Sequence, residues 1–169
     1  RNAVPEVQRQ LTGQANVYLM ASSFCVGDPY LPKEIVMFAK MEGVRFRVVH
    51  FNNGMHGWEY SEAEYKAGFP AYLAALHSIA PGAAFIWATT TAIRVESQPG
   101  PTNARINTRN AIAQQFVRGM MVDDQHTLME KHRDLYADDI HFNPNGSNIS
   151  GAQAAEEILH ALEKSAQKH

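Results

Sequence analysis

The chain has 169 residues, 45% of them hydrophobic, and a formal net charge of −2 at pH 7. This length and composition are typical of one globular domain spanning residues 1–169 with a single core. The small charge and the lack of any basic run exclude the electrostatic pattern of a nucleic-acid-binding protein. No apolar stretch approaches the roughly 18–20 residues that span a bilayer, and a single cysteine, Cys25, excludes an internal disulfide. None of these features indicates the compartment in which the protein works.

In the first third of the chain, helical and extended patterns alternate. Apolar residues at helical spacing, with Pro5 in the first turn, predict a helix over residues 4–12. A loop rich in Ser, Gly and Pro separates the next two apolar segments. The elements predicted after the first helix are a strand over 16–20, a helix over 32–41 and a strand over 46–51.

The rest of the chain continues the alternation. Ser61 and Glu64 form a capping-box pattern, which predicts the start of a long helix. The apolar run over residues 83–89 is typical of a parallel strand that is covered on both faces. The remaining predicted elements are a helix over 106–118, a strand over 120–122, a short helix over 126–131 and a final helix from about residue 150.

Strands separated by helices predict a parallel, doubly wound sheet with right-handed crossovers. In sheets of this kind, ligands bind outside the carboxyl ends of the strands. Several polar residues follow predicted strands or lie in loops that can reach that edge: Gly27, Asn53, His56, Thr89–Thr91, Asp138 and His141. Their convergence predicts a functional site there.

The segment from Asp138 to Gly146 contains an acidic residue three positions before a histidine. A carboxylate at that spacing can fix the tautomer of the His141 imidazole and stabilise its charged form, while the imidazole takes a proton from a nucleophile. Two other interpretations stay open. His141 can be a solvated loop residue or a helix cap, and Asp139 can take the place of Asp138.

Two segments together resemble the SGNH (GDSL-type) hydrolase family, whose members are esterases and lipases. Asp138 and His141 match the family's last block, Asp-x-x-His. Residues 48–57, Val-Val-His-Phe-Asn-Asn-Gly-Met-His-Gly, lie where a strand leads into its third block, Gly-x-Asn-Asp. Residues 85–91 resemble the next strand and 109–113 the helix after it. The resemblance covers nearly the whole chain and implies a flavodoxin-like, three-layer α/β/α fold.

The resemblance also implies a role for each candidate site residue. The implied roles are His141 as general base, Asp138 as its orienting carboxylate, and His56, Asn53 and Gly27 as candidate oxyanion donors. His56 stands where the family has an oxyanion-binding Asn, so it either donates to the oxyanion or braces the loop by bonding Asn52. Asn53 can equally be a simple turn residue.

The family's nucleophilic serine lies in a Gly-Asp-Ser block at the end of the first strand, and this sequence contains no such block. The nearest approximation, Gly27-Asp28-Pro29, has proline at the nucleophile position. Ser22 and Ser23 lie too close to the third block to be the nucleophile, and the strand predicted over 16–20 matches the family's second strand. The resemblance therefore implies that the first strand and the nucleophile are missing here. We expect a companion N-terminal segment to supply both.

Two functions remain open. The first is a Ser-dependent carboxylic ester hydrolase that removes a small acyl group, such as acetate, from a carbohydrate or a similar alcohol. Its serine would lie on a segment outside this chain. The second is a non-catalytic ligand-binding or scaffold derivative of the fold. We expect no cofactor and no metal, because no two histidines share helical spacing with an acidic partner.

Structural roles are predicted for three other histidines. His50 lies within an apolar strand and is predicted to be a core histidine whose hydrogen bonds are satisfied. His126 and His132, together with Asp123 and Asp124, are predicted to form a solvated face.

Overall fold

The computed structural model describes residues 2–98 and 100–166. Within this range, all six predicted helices are present. In chain order the elements are helix α1 (Val4–Gln10), helix α2 (Leu31–Glu42), strand β1 (Val48–Phe51), helix α3 (Glu62–Ile79), strand β2 (Ala84–Ala88), helix α4 (Asn103–Phe116), strand β3 (Met121–Asp123), helix α5 (Gln125–Glu130), a 3-10 turn (Arg133–Leu135) and helix α6 (Pro144–Ala166). No helix in these ranges has both the length and the apolar character needed to cross a membrane.

In the described part of the chain, β1, β2 and β3 form a parallel sheet in that order. Val48 pairs with Ala84, and Ile86 pairs with Met121. Helix α3 connects β1 to β2 and α4 connects β2 to β3, because parallel neighbours need a long crossover between them. The predicted α/β fold with a parallel sheet is confirmed.

Helices cover both faces of the sheet, because alternate residues of each strand point to opposite sides. Phe51 of β1 and Trp87 of β2 belong to one core with buried residues of α2, α3 and α4. On the opposite face α6 packs across all three strands, and α1 packs on α6 through Val7 and Leu11. The chain therefore has three layers, with helices on both sides of the sheet.

Helix starts follow local capping chemistry. Ser61 and Glu64 make both hydrogen bonds of the capping box at the start of α3, as predicted. Helix α6 begins at Pro144 instead of about residue 150, so the predicted start was wrong. Asn143 Oδ1 accepts a hydrogen bond from the N–H of Gly146, and proline favours the first position of a helix. These two residues place the start of α6 directly after the loop that contains Asp138 and His141.

The predicted strand over residues 16–20 is wrong. These residues form no regular secondary structure and make no backbone–backbone hydrogen bond with another described residue. Val17 packs on the α1–α6 cluster and Met20 on the main core, whereas Tyr18 and Leu19 are 40% and 44% exposed. A segment becomes a strand only where a second backbone exchanges hydrogen bonds with it. No described segment does so here.

Candidate active site

His141 and Asp138 meet in the loop between the 3-10 turn and α6. His141 Nδ1 lies 2.9 Å from Asp138 Oδ2. The other carboxylate oxygen, Oδ1, accepts hydrogen bonds from the backbone N–H groups of Ile140 at 2.7 Å and of His141 at 2.6 Å. These contacts fix the carboxylate against the imidazole. When Nδ1 donates to the carboxylate, Nε2 is left as an acceptor for another partner.

The loop itself stabilises the negative charge of Asp138. Hydrogen bonds from the backbone N–H groups of His141 and Ile140, and then from the His141 side chain, lower the pKa of Asp138 to about 2. The carboxylate is therefore charged at neutral pH and can stabilise an imidazolium beside it. The side chains of His141 and Asp138 are 63% and 58% exposed, so the pair faces solvent.

The carboxylate of Asp139 makes no hydrogen bond to His141. Its backbone carbonyl accepts a hydrogen bond from the N–H of Arg94 at 2.8 Å, and its carboxylate lies 3.4 Å from the Arg94 guanidinium. These contacts anchor the loop to the segment that follows β2. Of the two adjacent carboxylates, the one beside the imidazole is that of Asp138.

Asn53, shortly after β1, holds the loop that contains Gly27. Its Oδ1 accepts from the N–H of Val26 at 3.1 Å, and its Nδ2 donates to the carbonyl of Phe24 at 2.9 Å. The N–H of Gly27 points at Sγ of Cys25, 3.2 Å away. Both candidate oxyanion donors therefore already have hydrogen-bond partners. The Asn53 side chain bonds to backbone groups, whereas the N–H of Gly27 donates to a weakly accepting sulfur.

Asn52 and His56 differ in how their side chains are used. Asn52 Nδ2 donates to the carbonyl of Ala88 at 2.7 Å and to the hydroxyl of Thr90 at 2.9 Å, which joins the ends of β1 and β2. The His56 side chain is exposed and makes no hydrogen bond within the described ranges, so the brace to Asn52 is not formed. Asn52 was not among the site residues predicted from the sequence. Its place directly after a buried strand was the available signal.

A second histidine–carboxylate pair has a buried carboxylate. His50 Nε2 is 2.7 Å from Asp123 Oδ2, so the hydrogen bond of His50 is satisfied as predicted, but its side chain is 25% exposed and does not lie in the core. Asp123 is fully buried and also accepts from the amides of Gln125 and Gln153. The predicted solvated face is therefore wrong for Asp123, because these amides replace water at the end of β3. Burial raises the pKa of Asp123, but the hydrogen bonds from His50, Gln153 and Gln125 outweigh it and lower the pKa.

A nucleophile is not part of this arrangement. Within residues 2–98 and 100–166, no serine hydroxyl hydrogen-bonds to His141. The Ser22 hydroxyl donates to the Glu34 carboxylate and accepts from the N–H of Phe24 at 3.0 Å. The structure thus brings Asp138 and His141 together and engages Ser22 elsewhere.

Known proteins resemble this chain in structure but not in sequence. No family model and no curated protein sequence matches it. A crystal structure of a carbohydrate esterase family 3 protein from Talaromyces cellulolyticus matches with a TM-score of 0.70 and 13% identity, over 96% of this chain and 91% of that one. A crystal structure of an acetyl esterase mutant with acetate ion matches with a TM-score of 0.72 and 14% identity, over the same shares of the two chains. The chain has the fold of these esterases.

Proposed function

We propose that this protein is a Ser-dependent carboxylic ester hydrolase that removes a small acyl group, such as acetate, from a carbohydrate or a similar alcohol. The observation that carries the proposal is the hydrogen bond between His141 Nδ1 and the charged carboxylate of Asp138. An imidazole held through Nδ1 has Nε2 available as a general base. The fold shared with acetyl esterases supports acyl esters as the substrate class.

The reaction has two halves. First, His141 Nε2 takes the proton of a serine hydroxyl while the serine oxygen attacks the ester carbonyl. The tetrahedral intermediate then expels the alcohol, which receives that proton, and an acyl-serine remains. In the second half, His141 deprotonates a water that attacks the acyl-serine, and the carboxylic acid leaves as the serine is restored. Asp138 stabilises the imidazolium in both halves.

The oxyanion of each tetrahedral intermediate needs hydrogen-bond donors. We assign the side-chain contact to His56, because its imidazole is exposed and makes no hydrogen bond in the described part of the chain. The N–H of Gly27 is the second donor, since a thiol sulfur is a weak acceptor that an oxyanion can replace. Asn53 supports both by holding the Gly27 loop against the end of β1.

The nucleophilic serine is proposed to lie on a companion N-terminal strand that pairs with β1. Strand β1 is at the edge of the described sheet, and the unpaired segment 16–20 lies close to it, with the Tyr18 ring 5.9 Å from that of Phe46. Two large apolar side chains of this segment, Tyr18 and Leu19, are exposed. A strand added here would satisfy the free edge of β1 and cover apolar surface.

Labelling and mass spectrometry of the natural protein test the proposal. Denaturing mass spectrometry should reveal a companion segment that contains Gly-Asp-Ser. A fluorophosphonate, which reacts with activated serines, should label that serine, and the protein should hydrolyse p-nitrophenyl acetate. His141→Ala should abolish both the labelling and the hydrolysis, whereas Asp139→Asn serves as the control that retains both. Labelling of Ser22 or Ser23 in the 169-residue chain alone would overturn the companion strand.

A non-catalytic ligand-binding or scaffold derivative of the same fold is the second candidate function. One observation favours it, namely that no serine hydroxyl of the described residues reaches His141. The same experiment separates the two candidates. A stable protein with no companion segment, no fluorophosphonate labelling and no ester hydrolysis would support the non-catalytic function.

A further inference from the structure

The buried guanidinium of Arg109 holds one loop through its backbone carbonyls. Arg109 lies on α4 and is fully buried. Nη1 and Nη2 donate to four carbonyls, those of Gly54 at 3.4 Å, His56 at 2.7 Å, Gly57 at 2.8 Å and Tyr60 at 3.1 Å. All four belong to residues 54–60, which we call the 54–60 loop. A single side chain therefore fixes the loop at both of its ends and in its middle.

The positive charge of Arg109 has one carboxylate nearby but makes no hydrogen bond to it. Glu62 Oε1 lies 3.5 Å from Arg109 Nε, and this Nε is buried without a hydrogen-bond partner among the described residues. Glu62 instead accepts from Arg105 Nε at 2.7 Å. The rings of Trp58 and Tyr65 flank the guanidinium, with centroids 4.3 Å and 5.0 Å from its carbon. Burial, and then the nearby charge of Arg105, lowers the pKa of Arg109.

Arginine is an unfavourable residue for simple helix packing. Taking a guanidinium out of water is costly unless hydrogen bonds replace its hydration. An apolar side chain could fill the same volume without that penalty. The oxygens that replace water here all come from the 54–60 loop. What Arg109 adds over an apolar residue is thus a fixed conformation of that loop.

The 54–60 loop carries the exposed His56 side chain between two anchored peptides. The C=O and the N–H of one peptide point in opposite directions. A peptide whose carbonyl points at Arg109 therefore has its N–H directed away from Arg109. The N–H groups of Met55, Gly57 and Trp58 accordingly donate to no acceptor in the described ranges. Gly57 has φ of +70°, and a Cβ there would overlap Cys25, so glycine is required in this conformation. The direction of the His56 imidazole therefore depends on the contacts made by Arg109.

We propose that Arg109 is a positioning residue for ester hydrolysis, which holds the 54–60 loop so that His56 points at the oxyanion. The inference rests on the proposed function, because it acts through the donor assigned there. A displacement of about 1 Å in a catalytic arrangement can cost about 100-fold in rate. Loosening the loop should therefore affect the chemical step more than substrate binding.

The test compares variants of the complete enzyme, with the nucleophile segment present. Arg109→Lys keeps the charge but loses the planar fork that reaches several carbonyls, and Arg109→Met removes both. Arg118→Met is the matched control, because Arg118 is exposed just beyond the end of α4 and, unlike Arg109, makes no hydrogen bond to the described residues of the loop. For each variant, kcat and KM for p-nitrophenyl acetate are measured, together with amide hydrogen exchange in the 54–60 loop and in β2.

We expect kcat to fall about 10-fold in Arg109→Lys and about 100-fold in Arg109→Met, with KM within about twofold of wild type. Exchange of the Tyr60 amide, which donates to the carbonyl of Gly57, should accelerate, and exchange in β2 should stay unchanged. In a His56→Ala background, Arg109→Lys should cause no further loss of kcat, since both changes remove the same contact. The control should match wild type in every measurement.

The other outcomes separate this inference from the proposed function. Unchanged kcat in both Arg109 variants, a raised KM at unchanged kcat, or additive losses with His56→Ala would each overturn the positioning role while leaving the hydrolase in place. If Arg109→Met does not fold, the positioning role is decided by the kcat of Arg109→Lys, alone and combined with His56→Ala. Absence of hydrolysis in the wild type would overturn the proposed function, and the role of Arg109 would fall with it.

Discussion

Two histidine–carboxylate pairs in this protein have similar hydrogen-bond lengths but opposite surroundings. His141 and Asp138 are 2.9 Å apart in an exposed loop. His50 and Asp123 are 2.7 Å apart on the sheet, and the Asp123 carboxylate is fully buried. Asp138 takes its other hydrogen bonds from the backbone of its own loop, whereas Asp123 takes them from glutamine amides on α5 and α6.

Surroundings, and not distance, separate a pair suited to chemistry from one suited to structure. The exposed imidazole of His141 has Nε2 free to meet a nucleophile and a substrate. The pair of His50 and Asp123, which we call the buried pair after its buried carboxylate, joins β1, β3, α5 and α6. The Asp123 carboxylate has no water to replace a lost partner. We therefore expect activity to depend on His141 and stability to depend on Asp123.

The largest expected effect is on turnover. In the proposed hydrolase, with the proposed nucleophile segment present, His141→Ala should lower kcat by about 1,000-fold or more, because the serine would lose its base. The melting temperature should stay close to that of wild type, since the side chain is exposed. Steady-state kinetics and calorimetry measure the two effects. Retention of more than about a tenth of the wild-type kcat, a change of roughly 1.4 kcal/mol or less, would show that His141 is not the base.

His50→Gln is the matched control for that experiment. Glutamine can still donate a hydrogen bond toward Asp123, so kcat should remain near the wild-type value. A large fall in kcat at unchanged stability would instead assign chemistry to the buried pair.

The second prediction concerns stability. Asp123→Ala should lower the free energy of unfolding by about 3–5 kcal/mol, because His50 and two glutamine amides lose a buried acceptor. Asp138→Ala, at the exposed pair, should leave the urea midpoint close to that of wild type. Urea unfolding followed by circular dichroism measures both. Equal midpoints for Asp123→Ala and wild type would remove the structural role of the buried pair.

Local patterns account for the correct sequence predictions. Ser61 with Glu64, and Asp138 with His141, are each three positions apart, so one turn of chain brings them into contact. Residues 16–20 were wrongly predicted to be a strand, because their apolar pattern specifies the segment but not the partner that would pair with it. The start of α6 has a local signal in Asn143 and Pro144, which the predicted start at about residue 150 did not use.

Contacts between distant residues could not be predicted from the sequence. His50 and Asp123 are 73 positions apart, and Arg109 is 53 positions from His56. The sheet brings His50 and Asp123 together, and the packing of α4 brings Arg109 to the backbone of His56. A charged residue in a helix usually faces water, so nothing in the sequence distinguishes the buried Arg109 from an exposed arginine. The spacing of Asp138 and His141 thus predicted their contact, whereas the contacts of Arg109 with the 54–60 loop could be seen only in the structure.

The third prediction separates a direct donor from a loop brace. His56→Ala should lower kcat by about 100-fold with little change in melting temperature, because a donor to the oxyanion acts in the transition state. Asn53→Ala should instead lower stability and raise KM, since Asn53 makes two hydrogen bonds to the Gly27 loop. Thermal unfolding and steady-state kinetics on both variants measure the difference. A stability loss without a kcat effect in His56→Ala would make His56 a brace.

The smallest expected effect is in acid unfolding, where the two carboxylates should separate by pH. The pKa of Asp123 is lowered in the folded state, whereas an unfolded Asp titrates near about 3.9. A carboxylate with a lowered folded pKa contributes stability that is fully present above the unfolded value and is lost as the pH falls through the folded value. The free energy of unfolding should therefore decline below about pH 5, and less steeply in Asp123→Asn, which has no carboxylate to titrate.

The pKa of Asp138 is also lowered, to about 2. Its exposure and screening by salt should make the change of slope in Asp138→Asn much smaller than in Asp123→Asn. Urea unfolding at fixed ionic strength and closely spaced pH values measures the slopes. If Asp123→Asn follows the wild-type slope, the buried pair does not govern the acid sensitivity of the fold.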